Sequence, residues 1–132
     1  MPSIFTRIVQ GEIPCYKLAE NEEFLAFLDI NPLVKGHALV IPKVEVDYIF
    51  DLDDELLGRL HIFAKKVALA IEQVCPCERM AIAVLGLEVP HAHIHLAPIM
   101  SETDIDFRKR RVQLSHDEFV ELAAQIQAAF RA

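Results

Sequence analysis

The sequence contains no tryptophan, four glycines and three cysteines, and it has no excess of basic charge: 13 Lys and Arg stand against 20 Asp and Glu, giving a net charge of -7. Each shortage excludes something. With so little glycine and 53% hydrophobic residues, collagen-like order, disorder and a disulfide scaffold are ruled out. The three cysteines, Cys15, Cys75 and Cys77, are an odd set, so reduced structural thiols are expected rather than bridges. Cys75-Pro76-Cys77 is one residue short of the Cys-x-x-Cys spacing of zinc and redox pairs. An acidic chain is poorly suited to gripping a nucleic-acid backbone, because such binding is driven by Lys and Arg. No apolar run approaches the roughly 18 residues of a membrane span; the longest are residues 24–28 and 81–87, the latter broken by Gly86. Met1-Pro2-Ser3-Ile4-Phe5 has neither the basic segment nor the apolar stretch of a secretory signal, so a cytoplasmic location is expected, with no membrane partner.

At 132 residues one domain is expected, spanning 1–132, large enough to bury roughly two-thirds of its unfolded surface. Apolar residues at positions 4, 5, 8 and 9 predict a short helix stopped by Gly11 and Pro14. Residues 16–20 and 23–29 read as two strands around a turn, and residues 37–41, bounded by Gly36 and Pro42, as a buried strand. A three- and four-residue recurrence from Leu56 to Val74, led by Asp51, Asp53, Asp54 and Glu55, predicts one long helix ended by Pro76. Residues 80–85 read as another buried strand and residues 89–100 as extended chain; residues 104–111 read as a polar loop. Ser115-His116-Asp117-Glu118 is a capping box that opens a C-terminal helix. Five strands joined mostly by short turns indicate an α+β domain, an antiparallel sheet with its helices on one side.

Half of the six histidines fall within His91-Ala92-His93-Ile94-His95-Leu96. Side chains alternate across a strand, so His91, His93 and His95 are expected on one face and their apolar neighbours on the other. A solvated strand is the plainest reading of such a run, and two chemical readings compete with it. Imidazoles are common metal ligands, but alternate residues on a strand stand about 6.6 Å apart, so three converge on one ion only with distortion; a His-x-His pair with His37 or Glu88 is easier. Alternatively His93, with an imidazole on each side to hold its tautomer, is a nucleophile toward phosphorus, with its neighbours steadying phosphoryl charge.

The run His91-Ala92-His93-Ile94-His95-Leu96-Ala97 resembles the signature of the histidine triad (HIT) superfamily. The resemblance extends through Ile4-Phe5, Gly11-Glu12-Ile13-Pro14, Phe27-Leu28-Asp29-Ile30-Asn31-Pro32, residues 36–43 and Glu88-Val89-Pro90. It covers most of residues 4–100, leaving 101–132 as a loop and C-terminal helix. It implies a HIT-like fold, a homodimer, no metal or cofactor, and an enzyme acting at the α-phosphorus of purine nucleotide conjugates, close to nucleoside phosphoramidases or dinucleoside polyphosphate hydrolases. By resemblance His93 is the nucleophile that becomes nucleotidylated, His91 and His95 are its partners, and His37 completes the network behind them. Asp29 matches the acceptor for the ribose hydroxyls, and Ile4, Phe5, Ile8, Phe27 and Ile30 match the purine pocket. Read without the family, Phe27, Ile30 and His37 are core residues and Asp29 is a turn former. His61 and His116 match nothing in the pattern and read as structural.

Two departures bear on activity. Leu87 stands where members commonly carry a glutamine, and the loop before it is shortened. Glu88 takes a position that is a hydroxyl residue in some members; its carboxylate repels a phosphate leaving group and suits a protonated amine. These departures keep open a second function, a purine nucleotide-binding or scaffold protein with little catalytic rate. Members that bind zinc do so through cysteines beside the Ile-Phe pair; Ser3 and Thr6 stand there instead. The basic run Arg108-Lys109-Arg110-Arg111 reads as a solvated loop, with substrate phosphate or a partner's acidic surface as the other readings.

Overall fold

The computed structural model describes residues 2–132; Met1, where the expected domain begins, lies outside them. The chain runs α1 (Ile4–Val9), β1 (Lys17–Glu20), β2 (Phe24–Leu28), β3 (Ala38–Pro42), α2 (Asp54–Val74), β4 (Arg79–Ala83), β5 (Ile94–Ile99) and α3 (His116–Ala129). Short 3-10 turns at Ile49–Asp51 and Glu102–Ile105 interrupt the loops. The five strands form one antiparallel sheet in the order β1-β2-β3-β5-β4, so the fold is α+β.

Period-two alternation divides β2 and β3 between two cores. Phe24, Ala26 and Leu28, with Ala38 and Val40, pack beneath α2 and α3 against Leu60, Phe63, Val67, Ile71, Leu122 and Ile126. Leu25, Phe27, Leu39 and Ile41 face the other way and meet Phe5 of α1. The helices therefore cover both faces rather than one, as β2, buried at every position, requires. Sequence patterning sees only that β2 is apolar; which helix takes which face is decided by the tertiary arrangement.

Caps fix where the helices start. The Asp53 carboxylate accepts from the Leu56 N–H at 2.8 Å, and Asp54 and Glu55 follow in the first turn of α2. At α3 the expected capping box is present, with Ser115 and Glu118 exchanging side-chain to backbone bonds. The other unassigned histidines have local duties: His61 bonds the Leu57 carbonyl, and His116 meets the Tyr16 hydroxyl.

Two expectations are corrected and a third is narrowed. Strand β4 is an edge strand, half exposed rather than buried, with Ile82 at 55% exposure, because among the described residues β5 is its only partner in the sheet. The extended run at 89–100 becomes a strand only at Ile94, since the ladder to β3 starts at the pair Val40 and Ile94. Of residues 104–111, the first two belong to the 3-10 turn that ends at Ile105 and the rest form the expected loop, which is tied down just beyond its end where the Val112 N–H donates to the Pro32 carbonyl at 2.9 Å.

The β2–β3 connection positions the site. The Asp29 N–H donates to the His37 carbonyl, and Gly36 turns the chain at φ +101°. No side chain fits there in any case: a Cβ on Gly36 would lie 2.8 Å from Cys75 Sγ and 3.0 Å from Pro98 Cγ. His37 is thereby placed at the entry to β3, opposite Asp29 at the exit from β2.

Candidate active site

A cavity of about 390 Å3 opens between α1, the end of β2, the 85–89 loop and the segment that follows β5. Ile4, Phe5, Ile8, Phe27, Asp29, Ile30, Glu88, His93 and His95 all line it. His37 and His91 are buried behind it. Of the apolar set, Phe5 and Phe27 form the floor, ring against ring at 5.7 Å, whereas Ile30 sits at the rim, 73% exposed.

The histidines make a chain of hydrogen bonds in which each tautomer can be deduced from the donor or acceptor fixed at one end. The Leu33 N–H donates to His37 Nδ1 at 3.0 Å, so a neutral His37 carries its proton on Nε2. That Nε2–H donates to His95 Nδ1 at 3.0 Å. His95 therefore carries its own proton on Nε2. A carbonyl can only accept, so His93 Nδ1 donates to the His91 carbonyl at 2.8 Å, leaving the lone pair on His93 Nε2. His91 Nε2 likewise donates to the Pro42 carbonyl at 2.8 Å and presents Nδ1 as an acceptor to the Ser3 hydroxyl at 2.8 Å. Among the described residues no buried side-chain polar atom lacks a partner, so the unpartnered Nε2 atoms of His93 and His95 are reached from the cavity. The cavity thus holds a nucleophilic lone pair beside an N–H donor, with the two rings 4.9 Å apart.

This arrangement corrects two expectations. Only His95 lies on a strand, yet Ala92, Ile94 and Leu96 still point into the helical core, so the side-chain alternation persists through the irregular residues before β5. The tautomer of His93 is held by a backbone carbonyl, not by flanking imidazoles.

Burial holds the relay neutral. It drives the His37 pKa down to about 4, against the pull of Asp29, whose carboxylate lies 3.6 Å away. It drives His95 down to about 3, and the neighbouring imidazoles and Arg111 push the same way. His91 is lowered too, chiefly by burial. Asp29 meanwhile uses Oδ1 to accept from the Asn31 N–H at 2.8 Å, so the turn-forming role and the cavity position hold at once.

Donor chemistry is unfavourable to a metal at two places in the site. Asp29, His37 and His95 bring one ligand atom each within 4.8 Å of one another, but the Leu33 N–H aimed at His37 Nδ1 places the ring proton on Nε2, where a metal would need the lone pair. At the first turn of α1, Ser3 and Thr6 supply hydroxyls where zinc favours thiolates. Sequence reasoning missed what those hydroxyls do. The Ser3 N–H and the Thr6 hydroxyl both donate to Glu45 Oε1 at 2.6 Å, which holds that carboxyl down at about 2, and the Ser3 hydroxyl donates to His91 Nδ1. Glu45 therefore clamps α1 against His91, whose carbonyl orients His93.

Phe107 was missed as a cavity residue, and Arg111 follows the substrate-phosphate reading of the basic run rather than the solvated-loop reading that led it. Phe107 packs edge-on to His95, with centroids 4.8 Å apart, and Arg111 lies 5.8 Å over the Phe107 ring. The basic run is thus divided: Arg108 pairs with Asp106, while Arg111 lines the cavity. The signal available in the sequence was the single aromatic, Phe107, beside the run.

The geometry has counterparts among known proteins. Residues 10–101 match the family profile described as HIT domain. An uncharacterized HIT-like protein of Borreliella burgdorferi is 34% identical over 93% of this chain and 94% of its own length. The adenosine 5′-monophosphoramidase of Schizosaccharomyces pombe is 42% identical over 77% of each chain. Among solved structures, a HIT-like protein of Bartonella henselae superposes with a TM-score of 0.84 at 27% identity, covering 97% of this chain and 96% of that one.

Proposed function

The chain belongs to the HIT domain family, and from that premise we propose that it is one HIT domain hydrolysing purine nucleoside phosphoramidates through a nucleotidyl-His93 intermediate. The observation that carries this reading is the lone pair on His93 Nε2, held toward the cavity by the Nδ1–H bond to the His91 carbonyl and flanked by the His95 Nε2–H. A fission-yeast relative is named an adenosine 5′-monophosphoramidase, which supports the same class of substrate.

The purine fits against Phe5 and Phe27, with Ile4, Ile8 and Ile30 at its edges, and the free oxygen of Asp29 accepts from the ribose. His93 Nε2 attacks the α-phosphorus as the P–N bond to the leaving amine breaks, and the departing nitrogen takes a proton from solvent. The ring becomes an imidazolium whose Nδ1–H strengthens its bond to the His91 carbonyl, while His95 donates to a phosphoryl oxygen. Water then attacks the phosphorus and releases its proton to solvent, the P–Nε2 bond breaks, and its electron pair returns to His93 Nε2 as the lone pair. Glu88 on the rim favours a protonated amine over a phosphate as leaving group. No step of this scheme calls on a metal.

Leu87, 92% exposed at the cavity wall where an amide is expected, favours the second reading, a purine nucleotide-binding or scaffold protein. Adenosine 5′-phosphoramidate turnover measured beside calorimetric AMP binding separates the two. The enzyme reading expects AMP and free ammonia as products; binding without turnover favours the scaffold.

The unpaired edge of β4 supports a homodimer. Its exposed Ile82 adjoins α2, where Ile62 and Leu69, seven residues apart, are exposed on one helix face. Light scattering is expected to give twice the 14.9 kDa chain mass, and Ile82→Lys to shift it toward the monomer; a wild-type monomer at all concentrations sinks the dimer.

A further inference from the structure

A phosphate entering this cavity meets an electrostatic difficulty. The carboxylates that line it, Asp29 and Glu88, repel an anion, and His37 and His95, held neutral by burial, supply no compensating charge. Arg111 is the one Lys or Arg lining the cavity among the described residues. Its Nη1 donates to the Asn31 carbonyl at 2.9 Å, and the other four N–H donors have no partner among the described residues. The guanidinium is also held in place before any ligand arrives. The Val112 N–H is bonded to the Pro32 carbonyl, and the Phe107 ring lies beneath the guanidinium.

We propose that Arg111 is the anion-recognition residue of the cavity, donating to the phosphoryl oxygens of the bound nucleotide. A planar, permanently charged fork with free donors matches a group bearing several anionic oxygens better than it matches ribose hydroxyls, for which Asp29 already offers an acceptor. The inference rests on the nucleotide reading of the same cavity and adds to it a permanent positive charge, which neutral His37 and His95 do not provide. It also gives the segment after β5 a function: Phe107 packs on His95 and presents Arg111 beside it.

Calorimetric titration of AMP and adenosine into the wild type, Arg111→Ala and Arg111→Gln tests this. Gln removes the charge while retaining an N–H donor for the Asn31 carbonyl, so it reports on charge if the Ala variant folds poorly. Both variants are expected to bind AMP at least about tenfold more weakly and adenosine within twofold of the wild type. Unchanged AMP affinity overturns the proposal, and so does a parallel loss of adenosine and AMP, which indicates a structural role. If the wild type binds neither ligand, the nucleotide reading itself fails and this inference falls with it.

Discussion

Replacing His93 with alanine is expected to lower adenosine 5′-phosphoramidate turnover by a factor on the order of 10^4 or more, while AMP affinity changes by only a few-fold. The asymmetry follows from the site. His93 supplies the atom that forms the covalent bond, so nothing else in the cavity can substitute for it. The groups assigned to binding are on other elements: Phe5 on α1, Phe27 on β2, Asp29 just beyond it, and Arg111 after β5. The variant also removes the Nδ1–H bond to the His91 carbonyl, but it leaves the Leu33, His37 and His95 relay intact. Steady-state kinetics beside calorimetry measures both quantities. A variant that retains more than about a tenth of the wild-type rate excludes His93 as the nucleophile.

A second large effect is expected in stability against pH. Ordinary imidazoles titrate near 6.5, whereas burial holds His37 near 4 and His95 near 3 in the folded chain. Below pH 6.5 the unfolded chain therefore takes up protons that the folded chain refuses, and folding stability falls as pH falls. Each such imidazole contributes up to about 1.4 kcal/mol per pH unit, so the two together remove about 3 kcal/mol between pH 6.5 and 5. His91, lowered as well, adds to the loss. Carboxylates held by partners, such as Glu20 and Glu118, contribute only below their ordinary range near 4.3, so the window above pH 5 reports the imidazoles. Urea unfolding at pH 7 and pH 5 measures it. With total stabilities of about 5–15 kcal/mol, the midpoint should drop markedly; equal midpoints contradict the neutral relay.

The site was only partly legible in the sequence. Residue types and spacing at residues 91–97 indicated the chemistry, and the apolar periodicities located the long helix, the capped C-terminal helix and the strands. The partners that make the chemistry specific are backbone groups, the His91 carbonyl for His93 and the Leu33 N–H for His37, and a backbone group carries no signature in a sequence. Residues 80–85 show a related limit. Their apolar content predicts a buried strand, but whether Ile82 is covered depends on the neighbour that β4 lacks within one chain. The role of Glu45, and which residue of the basic run reaches the cavity, were hidden by distance. Glu45 meets Ser3 and Thr6 across about 40 residues of chain, and Arg111 reaches Asn31 across 80, contacts that only the folded sheet creates.

The central claim is the covalent step at His93 Nε2. Adenosine 5′-phosphoramidate mixed with the wild type, quenched under denaturing alkaline conditions within the first turnover and digested for peptide mass spectrometry, examines that step directly. The expected result is a mass increment of one adenylyl group on the peptide spanning residues 80–108, localised by fragmentation to His93 and absent from His93→Ala. Turnover that proceeds with no adduct at any time point, or an adduct localised to another side chain, contradicts the account.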